Sequence, residues 1–199
     1  MLFRSLVLNS DGTLALQASG TAALSLGNGF ASATASSVAV AYNNTGADVS
    51  RTLAVTVGGS SVSAPLSVAS GQTAVVVTGL NAQVKNFVTL TGDFGFQKTT
   101  AADPADDELL VVSSNAAAKL KVGTAVEAGV SGATLALLVR GDGTLALQAS
   151  GTAALSLGNG FASATASSVA VAYNNTGADV SRTLAVTVDR KSTRLNSSH

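Results

Sequence analysis

Polarity alternates with a period of two along most of this chain, and that pattern belongs to strands. Phe30-Ala31-Ser32-Ala33-Thr34-Ala35 leads into Val38-Ala39-Val40-Ala41-Tyr42, and Thr52-Leu53-Ala54-Val55-Thr56-Val57 alternates in the same way. Successive side chains of a strand point to opposite faces, so each run carries two different sides. The runs are punctuated by Asp11-Gly12, Gly27-Asn28-Gly29, Asn43-Asn44-Thr45-Gly46, Gly58-Gly59, Ser70-Gly71 and Gly141-Asp142-Gly143. Asn-Gly, Asp-Gly and Gly-Gly supply the positive φ of tight hairpins. The chain is therefore expected to be all-β, with antiparallel, hairpin-connected strands in a sandwich-like or extended meander module repeated in tandem; a β-solenoid is the alternative. Pro65 and Pro104 suit an edge strand or a loop. The Ala-rich stretch from Ala116 to Leu120 is flanked by Val111, Val112 and Val122 and develops no helical period, so no helix is expected there.

The chain also repeats itself. Asp11 to Val57 and Asp142 to Val188 are identical over forty-seven residues at an offset of 131. Upstream of the shared block one copy reads Leu6-Val7-Leu8-Asn9-Ser10 and the other Leu138-Val139-Arg140-Gly141, similar in character and different in residue. A repeat of this length is domain-sized, which favours an array of modules over a short-period solenoid. Residues 6–141 read as one unit and residues 142–188 as part of a second, identical to 11–57.

The two ends are of another kind. Asp189 to His199, DRKSTRLNSSH, resembles the translation of a short-read sequencing adapter, and Met1 to Ser5, MLFRS, resembles that of its reverse complement. Residues 1–5 and 189–199 are accordingly expected to pack against nothing specific. Setting them aside removes the single histidine and leaves seven basic and ten acidic side chains, a net charge of about −3. No basic patch stands out to neutralise phosphates, which argues against nucleic acid as a partner. The apolar content is too high for a disordered chain, and no apolar run is long enough for a membrane-spanning helix.

Reactive chemistry is sparse. Cysteine is absent, which removes disulfides, thiolate nucleophiles and cysteine metal sites. Without histidine, Ser-His or Cys-His catalysis and histidine-ligated zinc are removed as well. Glu108 and Glu127 are the only glutamates, and nothing in the sequence brings them together for glycoside hydrolysis. Asp103, Asp106, Asp107 and Glu108 form an acidic loop of oxygen ligands suited to calcium, but without a glycine turn they read as solvated. Arg140-Gly141-Asp142 spells the integrin-recognition tripeptide; these are also ordinary turn residues, and the first copy has Asn9-Ser10-Asp11 in their place. No catalytic, cofactor-binding or metal-binding residue is assigned.

Many inward candidates are Ala, Gly and Ser, so facing layers should approach closely and bury little area each. Phe87, Phe94 and Phe96 are expected to be the few large plugs of that core.

The segment FVTLTGDFGFQK, Phe87 to Lys98, followed by VSGATLALLVRGDGTLALQASG, Val130 to Gly151, resembles modules of very large repetitive bacterial surface or secreted proteins of the giant-adhesin type. The glycine-aspartate nonapeptides that bind calcium in such families are missing here, so calcium is not carried over to any residue. The resemblance implies an extracellular or cell-surface location and a structural or adhesive, non-enzymatic role. The partners implied are neighbouring repeat units and cell-surface glycans or matrix. The alternative is a carbohydrate-binding β module attached to an enzyme, for which Tyr42 beside Asn43 and Asn44 is the one aromatic candidate in a unit.

Overall fold

The computed structural model describes residues 2–27, 30–57, 60–158 and 160–180. Within them the strands are β1 (Leu2–Leu8), β2 (Leu14–Leu26), β3 (Ala31–Asn43), β4 (Val49–Val57), β5 (Ser60–Val68), β6 (Gln72–Val84), β7 (Val88–Thr99), β8 (Glu108–Val122), β9 (Val126–Arg140), β10 (Leu145–Leu157) and β11 (Ala162–Asn174). One 3-10 turn, Pro104–Asp106, interrupts them. Nine strands form a single sheet in the order β1-β2-β3-β6-β7-β8-β9-β10-β11, and β4 and β5 pair only with each other. Every pairing is antiparallel, so the sheet is a meander from which one hairpin leaves between β3 and β6. The Ala116–Leu120 stretch lies inside β8. No helix among the described residues is long and apolar enough to cross a membrane.

Among the described residues, turns fall at the Asp11-Gly12, Asn43-Asn44-Thr45-Gly46, Ser70-Gly71 and Gly141-Asp142-Gly143 signals, whereas Asn28, Gly29, Gly58 and Gly59 lie outside those residues, and the prolines take the places open to them. Pro65 sits in the two-stranded β4–β5 hairpin opposite Thr52, and Pro104 opens the 3-10 turn. A line of bulges crosses the middle of the sheet, visible as register shifts at Gly20/Ala22, Val77/Leu80, Thr91/Asp93 and Ser150/Thr152. Two glycines explain why it can. Gly79 has φ +62, and a Cβ there would lie 2.4 Å from Ser36 Oγ; at Gly92, φ +135, it would lie 2.7 Å from Ala116 Cα. Only a residue without a side chain fits such a close crossing.

The β4–β5 hairpin folds onto one face of the sheet and makes the core. Leu66 and Val68 from β5 pack among Ala15, Ala41, Ala74, Leu110, Val112 and Leu138 from the sheet. The alanines leave room for the hairpin to approach, and its two large side chains fill that room. Polar bonds fix it as well: Ser67 N donates to Gln17 Oε1 and Asn43 Nδ2 to the carbonyl of Val68. This is the small-residue core that the composition suggests, but the phenylalanines are not its plugs. Phe87 and Phe96 are exposed and Phe94 is only half-buried. Phe94 and Phe96 point away from the hairpin, while the buried Gly95 between them faces it, because alternation along β7 gives the covered face to glycine.

The N-terminal residues also depart from expectation. Leu2–Leu8 is a strand, in register with β2 from Leu2↔Ser19 to Leu8↔Leu14. Ser5 is buried, and its hydroxyl donates to the carbonyl of Pro65 at 3.0 Å. An unpaired edge of β2 accepts any extended segment whose alternation suits it, whatever its origin. Asp189 to His199 lies outside the described residues.

The second copy repeats the first in detail. Ala146↔Asn174 in β10–β11 matches Ala15↔Asn43 in β2–β3, with the bulge at the same place. Val139↔Leu145 matches Leu8↔Leu14, so β1 stands to β2 as the C-terminal half of β9 stands to β10.

Candidate functional site

The turn motifs are fully engaged by the fold. Asp142 Oδ1 accepts from Thr144 N and Thr144 Oγ1, at 2.8 and 2.7 Å, and Asp11 holds Thr13 identically in the first copy. These hydroxyl and amide donors hold both carboxyls below the usual aspartate range. Gly141 donates its N–H to the carbonyl of Asp107 and lies so close to Pro104 that a Cβ would collide with its backbone oxygen. The Arg140-Gly141-Asp142 tripeptide is therefore the β9–β10 turn clamped against the 3-10 loop.

The acidic loop is spent in the same way. Asp103 caps the 3-10 turn by accepting from Ala105 N, and Asp107 accepts from Ala101 N and lies 3.4 Å from Lys98 Nζ. Among the described residues no three His, Cys, Asp or Glu side chains converge as metal ligands would. Glu108 pairs with Arg140 at one end of β8 and Glu127 with Lys121 at the other. The strand rise between them separates the two glutamates by roughly 40 Å, against the ~10 Å or less that paired carboxylates need.

Tyr42 is half-buried, and its neighbours are committed. Asn43 is buried and binds the carbonyls of Ala47 and Val68 while accepting from Thr45. Asn44 Oδ1 accepts from Leu14 N. Both amides build the exit of β3.

What the fold does create is a two-faced sheet. One cross-strand row runs Leu26, Ala31, Val84, Val88, Leu120, Ala128, Leu155, Ala164, and the next runs Leu24, Ala33, Ala82, Leu90, Ala118, Val130, Ala153, Ala166. Partners in register share a face, so these rows form one apolar band from β2 to β11. Along β2, Ala15 and Gln17 face the hairpin, which puts Leu24 and Leu26 on the opposite side. The band is open: Leu24 and Leu26 are 55% and 54% exposed, and Leu120 is 46% exposed. A shallow depression of about 310 Å³ lies in it, between Leu24, Leu26, Ala82, Val84, Val88 and Leu90.

The alternate positions carry polar side chains. Ser25, Ser32, Gln83, Thr89 and Lys119 follow one another across β2, β3, β6, β7 and β8. At their end Lys85, Asn86, Phe87, Lys119, Lys121 and Gly123 border a wider hollow of about 640 Å³. No basic patch stands out in the sequence; folding brings Lys85, from the β6–β7 turn, beside Lys119 and Lys121 of β8. Glu127 answers two of them, close to Lys119 Nζ and 3.9 Å from Lys121 Nζ. The Lys119 hydrogen bond, and after it the charge of both lysines, holds the Glu127 carboxyl below its usual range. Lys85 lies over the ring of Phe30, 5.6 Å from its centroid.

Neither the apolar band nor the lysine hollow was identified from sequence. The band was written in the alternation, yet the mid-strand bulges change which residues share a face, and only the register reveals them.

No protein-family model, no curated protein and no solved structure matches the chain.

Proposed function

We propose that the chain is a structural segment of a large repetitive protein at the bacterial cell surface or outside the cell, serving as a spacer or adhesive stalk rather than as an enzyme. The observation that carries this reading is the equivalence of β1 and β9. Ser5–Leu8 and Ala136–Val139 pair with the strand that follows them in the same register, one at the start of each copy. A chain of such units extends as one sheet, each unit beginning on the last strand of the unit before it. From β1 to β9 the sheet advances six strands. At the spacing of paired strands that is about 29 Å per 131 residues.

The chemistry of the turns supports the same reading. Carboxylates, amides and glycines that resemble ligand motifs hold hairpins together, and the residues that remain open form surfaces rather than a cleft. Adhesive contacts with glycan or matrix would then come from broad sheet faces repeated many times, where avidity replaces a single tight site.

Small-angle scattering on proteins of two, three and four complete units tests this. The maximum dimension is expected to rise by a constant increment of about 29 Å per unit. Compact growth, with the radius following the cube root of mass, overturns the reading.

A further inference from the structure

β3 and β11 have the same thirteen residues and opposite situations. β3 lies inside the sheet, with β2 on one side and β6 on the other, whereas β11 ends the sheet and has β10 alone as a strand partner among the described residues. The structure thus records what one of these two identical edges binds. β6 runs along β3 from Ala31↔Val84 to Tyr42↔Thr73. The fit includes a key: Ser36 Oγ donates to the carbonyl of Thr78 at 2.8 Å, beside Gly79, whose φ is +62 and whose missing Cβ leaves room for that hydroxyl.

β11 is built to receive the same partner. Its register on β10 reproduces that of β3 on β2 through the bulge, so Ser167 stands where Ser36 stands. Val169, Val171 and Tyr173, the counterparts of Val38, Val40 and Tyr42, are exposed. We infer that the outer edge of β11 is a strand-acceptor site, and that its ligand is an extended peptide with the sequence of β6, Gln72–Val84, added antiparallel so that Tyr173 faces Thr73 and Ala162 faces Val84. In an array the rest of the same repeat supplies that strand, as β6 follows β3 within residues 6–141. The inference rests on sequence identity and register, and does not depend on whether the parent protein is a spacer or an adhesin.

Strand addition of this kind takes affinity from main-chain hydrogen bonds and specificity from side chains in register. The test uses the full chain and a labelled synthetic peptide, Gln72–Val84, followed by fluorescence anisotropy. Saturable binding is expected, with a scrambled peptide at least tenfold weaker. A peptide carrying Gly79→Val is the sharper control. Valine favours strands in general, so an unselective edge binds it as well or better, whereas the Ser167 key rejects it by at least tenfold. Register is read by trapping, because the chain has no cysteine of its own. Ala170→Cys on the chain is expected to form a disulfide with a Val76→Cys peptide, the counterpart of the Ala39↔Val76 pair. It is not expected to do so with a Val75→Cys peptide, whose thiol faces the other side. Absence of binding, equal binding by the scrambled or Gly79→Val peptide, or trapping out of register overturns the proposal. So does a disulfide-linked dimer of Ala170→Cys chains that excludes the peptide, which would assign the edge to a second copy of β11.

Discussion

Asn43 and Asn174 are the same residue in the two copies, and they do different work. Both donate from Nδ2 across their turn, to the carbonyls of Ala47 and Ala178. Asn43 donates a second time, to the carbonyl of Val68 at 3.0 Å, and is 1% exposed, because the β4–β5 hairpin closes over it; Asn174 is exposed. The chain therefore contains its own control for the contribution of that cover. Asn43→Ala strands the Val68 carbonyl and should destabilise by about 1–3 kcal/mol. Asn174→Ala, losing a solvated turn bond, should cost less than about 0.5 kcal/mol. Urea denaturation of the two variants measures the difference.

The hairpin's hold on the sheet concentrates in Leu66, which is 1% exposed and packed against alanines that cannot move in to fill its place. Leu66→Ala should cost about 2–5 kcal/mol, the range for a cavity that relaxes little. Leu26→Ala, on the open band, should cost well under 1 kcal/mol by the same measurement.

The two Asx turns give a pH signature. Asp11 and Asp142 have carboxyls held below their usual range, by the hydroxyl of Thr13 or Thr144 first and its amide second. A depressed folded-state pKa contributes stability that is present above the unfolded value and is lost as pH falls through the folded one. The denaturation midpoint should therefore drop below about pH 4, and Thr13→Val with Thr144→Val should shallow that drop by removing the leading cause in each turn. An unchanged acid limb in the double variant would refute the assignment.

The open apolar band should bind a dye that brightens on apolar surface. Leu26→Lys with Leu120→Lys places two charges in one cross-strand row of the band, four strands apart and on either side of Val84 and Val88. The pair should at least halve the dye signal while leaving the denaturation midpoint nearly unchanged, since both side chains are already about half exposed.

Legibility in the sequence followed how local each cause was. Strand identity, antiparallel order and the Asp11-Gly12, Ser70-Gly71 and Gly141-Asp142-Gly143 turns are set by neighbours in sequence, and they were readable. The β6–β7 turn was not, because Lys85 takes φ +42 without the glycine that would announce it. Burial of Phe94 and Phe96 could not be read either, since it depends on which side of β7 the hairpin covers. The lysine hollow joins Lys85 to Lys119 and Lys121 through pairings that no local pattern encodes.

The last prediction concerns Ser5, where the expectation from sequence and the structural role part company. MLFRS resembles translated adapter, and a segment of that kind is expected to contribute nothing. Yet backbone pairing does not ask where a strand came from. Phe3↔Ala18 and Ser5↔Gln17 extend the β1–β2 ladder beyond Leu6, and the Ser5 hydroxyl ties the sheet to the hairpin through Pro65. Its neighbour across the ladder, Gln17, is buried and bonds to Ser67, so the same corner joins sheet to hairpin twice. Removing residues 2–5 should uncover Gln17 and open the edge of β2, lowering stability by more than about 1 kcal/mol, while Ser5→Ala alone should cost about 0.5–1.5 kcal/mol. If β1 is instead dispensable before Leu6, the truncated and full chains will melt together, and the single substitution will be silent.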